Sequence, residues 1–489
     1  MTTVKDILTC SSVVKIIGTT DKVISNLAFD SREVKDGTMF FALKGLKTDG
    51  HNYIETAIEK GANAIVCEVL PKEIKDGITY IKTKDSHMCL ALIADTFYEH
   101  PSRQLKLIGI TGTNGKTTLA TLSYNLFTKA GYKSGLISTV HIKVGDTEFQ
   151  TRFTTPDALT INRFLKMMVD QSVTHCFMEV SSHGINQERT TGLQFSGGVF
   201  TNLTHDHLDY HNDFAEYRNV KKRFFDMLPK TSFALTNADD KNGLFMLQNT
   251  HAKKKTYSLR TLSDYNAKII ENSIDGLHLK IDNDEVWTQL IGSFNAYNLL
   301  AIYAIARELG LEHTNVLQHI STFKSVAGRF QYFISDMGVT AIVDYAHTPD
   351  ALNNVLATIK DISKSGTNVI TVVGCGGDRD KTKRPVMAHL ASSMSDTAIF
   401  TSDNPRTEDP QSIIDDMERG VQPENIERTL SILDRKAAIK TAYKLSKKGD
   451  IVLIAGKGHE TYQEINGVRH DFDDYQIALE IFNQKQKAI

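Results

Sequence analysis

The sequence predicts an α/β protein built from three domains. The chain has 489 residues, more than one hydrophobic core organises, and roughly three domains is the natural division. Short apolar runs alternate with helix-compatible segments over most of that length, at residues 64–69, 105–110, 176–180, 198–203, 341–343, 369–373, 397–401 and 451–455. Such runs are strands buried on both faces between helices, so the sheets are expected to be largely parallel. Glycine or polar turns follow many of them, where strands hand the chain on to helices.

Composition narrows the function classes. Apolar residues make up 41% and charged residues 23%, an ordinary balance for a soluble protein. Lysine plus arginine number 56 against 58 for aspartate plus glutamate, so no global bias toward nucleic acid or an anionic membrane exists. A polyanionic ligand must then be met by local clusters. Cys10, Cys67, Cys89, Cys176 and Cys375 are scattered with no CxxC, which reads as reduced thiols. No stretch approaches the roughly 20 apolar residues of a membrane span. A cytoplasmic monomer with neither nucleic-acid nor membrane partners is expected.

Two boundaries stand out. His100-Pro101-Ser102-Arg103 precedes the run at 105–110, and Gly328-Arg329 precedes a fresh strand at 330–334. The domains are therefore placed at 1–102, 103–329 and 330–489. Residues 251–290 alternate, with Ile274, Leu277, Leu279 and Ile281 apolar, and predict a small antiparallel patch in the middle domain.

That middle domain opens on Ile108-Gly109-Ile110-Thr111-Gly112-Thr113-Asn114-Gly115-Lys116-Thr117-Thr118. A strand, a glycine-rich turn and a helix start make a phosphate cradle, because the backbone amides and the helix N-terminus can face one anion. Gly112, Thr113, Asn114, Gly115, Lys116, Thr117 and Thr118 are the expected ATP-phosphate contacts, with Lys116 on the terminal phosphates and Thr117 on Mg²⁺. The usual pattern has glycine where this chain has Ile110; an ordinary strand–turn–helix connection is the alternative.

Further candidates follow in chain order. Asp30-Ser31-Arg32 and Asp49-Gly50-His51 are polar loops around a short strand and read as surface turns on chemistry alone. Thr154-Thr155-Pro156 either caps a helix starting near Asp157 or contacts a phosphate or sugar. Glu179 ends a strand at 175–180, where α/β folds place ligand chemistry, and could hold Mg²⁺ opposite Thr117. Gln187 and Arg189 follow it. Residues 201–211 hold His205, His207, His211, Asp206 and Asp209; zinc is one reading, a second Mg²⁺ site through His207 another. Lys221-Lys222-Arg223 lies on a helix at 213–228, as an exposed basic face or as a lysine that takes up CO₂ to form an anionic carbamate. Asn295 could cap the helix after Gly292, or its amide could pair with an adenine edge. Four loops after strands complete the set: Asp344-Tyr345-Ala346-His347, Gly374 to Asp380, Asp403-Asn404-Pro405-Arg406 and Gly456-Lys457-Gly458-His459-Glu460. Together they imply a second binding crevice in the third domain.

The runs TGTNGKTT, EVSSHG, NLTHDHLDYH, GSFNAYN, GRF, DYAHTPDAL, GGDRDKTKRP, DNPR and AGKGHE together resemble the Mur ligase family, and within it the branch that adds the third peptide residue of the bacterial cell-wall precursor. The resemblance covers nearly the whole chain, and the shifted glycine of the phosphate loop is the family's own form. It implies an N-terminal α/β UDP-substrate domain, a central ATP-binding domain with a mostly parallel sheet, and a C-terminal Rossmann-like domain. It implies an ATP- and Mg²⁺-dependent ligase acting through an acyl phosphate. Ser31, Thr154, Thr155, Ser181, Gln187 and Arg189 would hold the UDP-muramoyl dipeptide. Thr117, Glu179, His207 and Lys221 as its carbamate would lie at the metal, with Lys116, Glu179, His207 and Lys221 serving catalysis. Asn295, Asn298, Arg329, Asp344 and His347 would contact nucleotide. Phe153 stands where the family often has a polar residue.

The DNPR loop resembles the form found in ligases for meso-diaminopimelate. That substrate differs from lysine by a carboxylate on its far end, which Arg406 can clamp bidentately. Arg379 would bind the other group, Glu460 the distal ammonium, and Asp403, Asn404, Pro405 and Gly456 would shape the pocket. The alternatives are a lysine-adding ligase of the same family, a folylpolyglutamate-type ligase, and a non-catalytic nucleotide switch.

Overall fold

Alternation along single strands decides the architecture. In the strand Ile451–Ala455, Ile451, Leu453 and Ala455 enter one buried cluster while Val452 and Ile454 enter another. A strand apolar on both faces needs helices on both faces. The computed structural model shows this arrangement and describes residues 1–45, 48–151, 153–204, 210–211 and 213–483. The chain forms two compact units, residues 1–202 with 215–256, and residues 203–214 with 257–489.

The first unit begins with a five-stranded sheet in the order Val13–Ile17, Thr79–Thr83, Ala62–Cys67, Thr38–Phe41, Asn26–Ala28. Only the first pairing is antiparallel. Met39 and Phe41 enter one core and Phe40 and Ala42 the opposite one. Leu159 of the helix Ala158–Asp170 packs on the former core, which ties the first hundred residues to the next sheet. That sheet runs Phe233–Asn237, Gly197–Phe200, Lys106–Thr111, His175–Glu179, Ser134–Ile137, all parallel, and ends in an antiparallel pair, His141–Val144 and Thr147–Gln150.

The second unit holds the antiparallel meander Tyr265–Ser273, Gly276–Ile281, Asp284–Thr288, the patch expected within 251–290. Its main sheet has six strands, Gln331–Ile334, Thr340–Asp344, Ile451–Ala455, Val369–Val373, Thr397–Phe400 and Thr429–Ser431. Only the first pairing is antiparallel. The loops after four of these strands therefore emerge at one edge, as expected for a crevice.

All the predicted apolar runs form strands. The run at 198–203 stops at Phe200, because Thr201 and Asn202 turn to hydrogen-bond the phosphate loop. All five cysteines are buried and free. Among the described residues, no helix is long and apolar enough to cross a membrane.

Candidate active site

Lys106–Thr111 hands the chain to the helix Lys116–Lys129 through Gly112-Thr113-Asn114-Gly115. Position 112 must be glycine: φ is +149° and an added Cβ would lie 1.9 Å from Thr201 Oγ1. The neighbouring strand end braces the loop. Thr113 N–H donates to Asn202 O at 2.8 Å, Asn114 N–H to Asn202 Oδ1 at 2.9 Å, and the Thr201 hydroxyl to Asn114 O at 2.6 Å. The Lys116 ammonium donates to Gly112 O at 2.9 Å and Thr113 O at 2.7 Å. Gly112 to Thr118 thus surround the positive end of a helix, where an anion is favoured.

In the first turn of that helix the Thr117 hydroxyl donates to Glu179 Oε2 at 3.0 Å. Parallel register pairs Glu179 with Ile110 and delivers the carboxylate beside the loop. Glu179 is fully buried, and its Oε1 accepts from Thr139 N–H at 2.7 Å. A hydroxyl and a carboxylate are the oxygen donors a hard divalent cation takes, with the remaining positions filled by phosphate and water. Among the described residues no group of three or more His, Cys, Asp or Glu forms a metal cage. His207, like His205, Asp206 and Asp209, lies outside the described residues.

Glu179 also anchors the expected UDP-substrate residues. The Thr155 hydroxyl donates to Glu179 O and accepts from Ser181 N–H, both at 2.9 Å. Arg189 donates to Thr155 O at 2.5 Å and to Gln187 Oε1 at 2.6 Å, and lies 5.4 Å over the Phe153 ring. The capping reading of the threonines is corrected. Asp157 caps the helix through Thr160 N–H at 2.8 Å, while Thr155 is buried under Glu179 and Thr154 accepts from the Thr139 hydroxyl at 3.1 Å. Ser31 stands apart from this cluster in sequence and bonding; its carbonyl accepts from Lys60 Nζ at 3.0 Å.

The exposed-face reading of the basic run is also corrected. On the helix Phe214–Asp226, Lys221 is 1% exposed and Lys222 7%. Lys222 pairs with Asp226 at 2.6 Å. Lys221 Nζ donates to Gly112 O at 2.9 Å and lies 4.8 Å over the ring of Tyr217. Tyr217, one turn earlier on the same face, meets Thr113 Oγ1 at 3.1 Å.

In the second unit Asn295 does not cap its helix. Gly292 is the N-cap, and Asn295 Nδ2 donates to Ile291 O at 2.8 Å while its Oδ1 accepts from Asn298 Nδ2 at 3.0 Å. Arg329, Asp344 and His347 gather around Tyr345. Arg329 lies 4.6 Å over that ring, and the His347 ring centroid is 4.5 Å from it. Asp344 Oδ2 accepts from Phe330 N–H at 2.6 Å. Burial pushes the Asp344 carboxyl above its ordinary range, opposed by Arg329.

Asp403, Asn404 and Pro405 are buried at the same sheet edge. Asn404 Nδ2 donates to Glu460 Oε2 at 2.7 Å, and Asn404 Oδ1 accepts from Lys457 Nζ at 3.1 Å. Lys457, wholly buried, is also 3.2 Å from Glu460 Oε2 and 3.9 Å from Asp403 Oδ1. Burial, then the Asp403 charge, pushes the Glu460 carboxyl upward. At Gly456 φ is +115° and a Cβ would lie 2.6 Å from Asp403 Oδ2, so a side chain there would collide with that carboxylate. Arg406 Nη1 donates to Gly377 O at 2.5 Å; its other guanidinium donors have no protein acceptor among the described residues. Arg379 is exposed on the adjacent loop.

Three family models match in chain order. They are "Mur ligase family, catalytic domain" over residues 23–98, "Mur ligase middle domain" over 110–306, and "Mur ligase, glutamate ligase domain" over 328–458. The UDP-N-acetylmuramoyl-L-alanyl-D-glutamate–2,6-diaminopimelate ligase of Bacteroides fragilis is 54% identical over 479 residues, covering 98% of this chain and 99% of that protein. The chain belongs to the Mur ligase family. A solved UDP-N-acetylmuramoyl-L-alanyl-D-glutamate–2,6-diaminopimelate ligase superposes with a TM-score of 0.70 at 32% identity over 98% of each chain. A MurF ligase from Thermotoga maritima in complex with ADP shares the fold, with a TM-score of 0.64 at 18% identity over 95% of this chain and 98% of that one. The three-domain α/β architecture expected from the sequence is that of the Mur ligases.

Sequence reasoning passed over several residues of this Mur ligase site. Asn202 and Thr201 brace the phosphate loop, and their place directly after a parallel strand was a usable signal. Tyr217 was legible as the helical neighbour of Lys221. Lys457 belongs to the glycine-rich loop at 456–460, but its burial between two carboxylates is a tertiary fact. Thr139, reaching Glu179 through its backbone, left no signal at all.

Proposed function

We propose that this chain is an ATP-dependent ligase that adds meso-2,6-diaminopimelate to UDP-N-acetylmuramoyl-L-alanyl-D-glutamate in peptidoglycan precursor synthesis, acting as a cytoplasmic monomer. The full-length likeness to the B. fragilis ligase supports the substrate pair. The observation that carries the chemistry is the Thr117 hydroxyl 3.0 Å from the buried Glu179 carboxylate at the mouth of the phosphate loop.

The D-glutamyl carboxylate attacks the γ-phosphorus of ATP, ADP leaves, and an acyl phosphate forms. The free amine of diaminopimelate attacks the acyl carbon, and inorganic phosphate leaves. Lys116 and the N-terminus of its helix stabilise the charge that builds on the phosphoryl oxygens. Thr117, Glu179, His207 and a carbamate on Lys221 would hold Mg²⁺, which supplies charge neutralisation on the phosphates when bound. Ser31, Thr154, Thr155, Ser181, Gln187 and Arg189 are assigned to the UDP-linked substrate. Asn295, Asn298, Arg329, Asp344 and His347 are assigned to the nucleotide.

Arg406 presents an open fork to a carboxylate, with Arg379 beside it. Asp403 and Glu460 outnumber Lys457, which leaves room for a substrate ammonium. This pairing favours a diamine with a distal carboxylate over lysine. Substrate-dependent phosphate release tests the reading: UDP-muramoyl dipeptide with diaminopimelate should trigger it, and release driven by a folate or by lysine alone would overturn it.

A further inference from the structure

The loops of the second unit that carry Arg379 and Arg406 are stitched together. Arg384, wholly buried at the start of the helix Lys383–Met394, donates Nη2 to Glu408 Oε1 at 2.9 Å, and Nη1 to Glu408 Oε2 at 3.1 Å and Asp416 Oδ2 at 2.9 Å. Glu408 Oε1 in turn accepts from Asp378 N–H at 2.6 Å, and Lys381 Nζ lies 3.1 Å from its Oε2. The Asp378 carboxylate accepts from the Thr407 hydroxyl at 2.8 Å. Gly377 N–H donates to Asn404 O at 2.9 Å, and an added Cβ at Gly377 would lie 1.9 Å from Pro405 O.

Two non-glycine residues facing each other across this stitch are left-handed, Asp378 at φ +54° and Arg406 at φ +53°. Backbone of that kind persists only where its surroundings over-determine it, and it gathers at ligand sites. Arg384 is wholly buried and Glu408 partly so; an ion pair taken out of water adds little net stability over apolar residues of the same volume, and its best-attested use is to fix register. The Glu408 carboxyl is held down to about 2, chiefly by Arg384, so the pair stays charged at working pH.

We infer that Arg384 and Glu408 are positioning residues for the amino-acid substrate: their ion pair sets the spacing between the loop carrying Arg379 and the loop carrying Arg406, and thereby the selection of a substrate with two carboxylates. The inference rests on the diaminopimelate reading above. Neither residue touches substrate; both act through the guanidinium groups they place.

The test is steady-state kinetics of wild type, Glu408→Gln, Glu408→Asp and Thr407→Val, with the KM of each of the three substrates measured separately. Wild type must first ligate diaminopimelate; if it does not, the functional reading falls and not the positioning role alone. With wild type active, Glu408→Gln and Thr407→Val should raise the diaminopimelate KM about tenfold or more, while the KM values for ATP and UDP-muramoyl dipeptide stay within about twofold, as expected when a clamp is misplaced rather than removed. Glu408→Asp, which keeps the charge, should recover part of the loss. An unchanged diaminopimelate KM would overturn the inference. So would a parallel rise in all three KM values with a fallen thermal midpoint, which marks a merely structural role. Should Glu408→Gln not fold, Thr407→Val, at an exposed position, decides the same question.

Discussion

The hydroxyl of Thr117 donates to Glu179 Oε2 at 3.0 Å. Glu179 ends one parallel strand and Thr117 opens the helix that follows the neighbouring strand, and the register of Glu179 against Ile110 sets the carboxylate beside that helix start. A phosphate-binding helix start and a buried carboxylate thereby face one point.

Replacement of Glu179 with Gln keeps the size and a hydrogen-bond acceptor for Thr117 but removes the charge. Ligation should fall in kcat by about 10²–10³-fold, the scale of losing one electrostatic stabiliser, and Lys116→Ala should fall at least as far. Near-normal turnover by either variant, measured as phosphate release, would remove that residue from the chemistry.

Lys221 sits 1% exposed with its ammonium on the carbonyl of Gly112. If a carbamate forms there, the site works with a negative group. Lys221→Glu should then retain more activity than Lys221→Ala, and bicarbonate should raise wild-type turnover after CO₂ is stripped from the buffer. Equal activities of the Glu and Ala variants would argue for a plain structural lysine.

Arg406 offers a planar fork that lysine lacks. Arg406→Lys should cost about 1.5–3 kcal/mol of binding to the distal carboxylate, about 10–150-fold in kcat/KM for diaminopimelate, with no comparable change for lysine. Competition assays with both amino acids read this directly, and equal losses would count against the clamp.

Much of this was legible in the chain because local rules dictated it. Each apolar run became a strand, since buried parallel strands need no polar face. The glycine-rich turn was legible from the strand before it and the helix start after it, and the approach of Thr201 accounts for the glycine at 112. Local chemistry leaves Thr155 and Asn295 open between capping and ligand contact, and Lys221 between a solvated face and a carbamate site; tertiary burial rules out the caps and the solvated face and gives each a buried partner. Lys457 and Arg384 are charged and wholly buried, which no periodicity announces; Asp403 and Glu408, which face them, come from the loop after another strand.

His175, at the start of the Glu179 strand, is 8% exposed, with its ring 4.7 Å from Phe127 and 4.8 Å from Tyr132. Burial, then Lys106, lowers its imidazole from 6.5 to about 4. The unfolded chain takes up a proton at the higher value and the folded chain only at the lower. The site's contribution to stability is therefore whole above pH 6.5 and is lost progressively as the pH falls toward 4. The thermal midpoint of wild type should drop more steeply than that of His175→Gln across this window; parallel curves would contradict the assignment.

The most direct measurement of the central claim is the mass of the product formed by the purified protein with ATP, UDP-N-acetylmuramoyl-L-alanyl-D-glutamate and meso-diaminopimelate. The account predicts a UDP-muramoyl tripeptide heavier by one diaminopimelate less one water, with one ADP and one phosphate per product. ATP turnover without that product, or a product carrying lysine in preference, would contradict it.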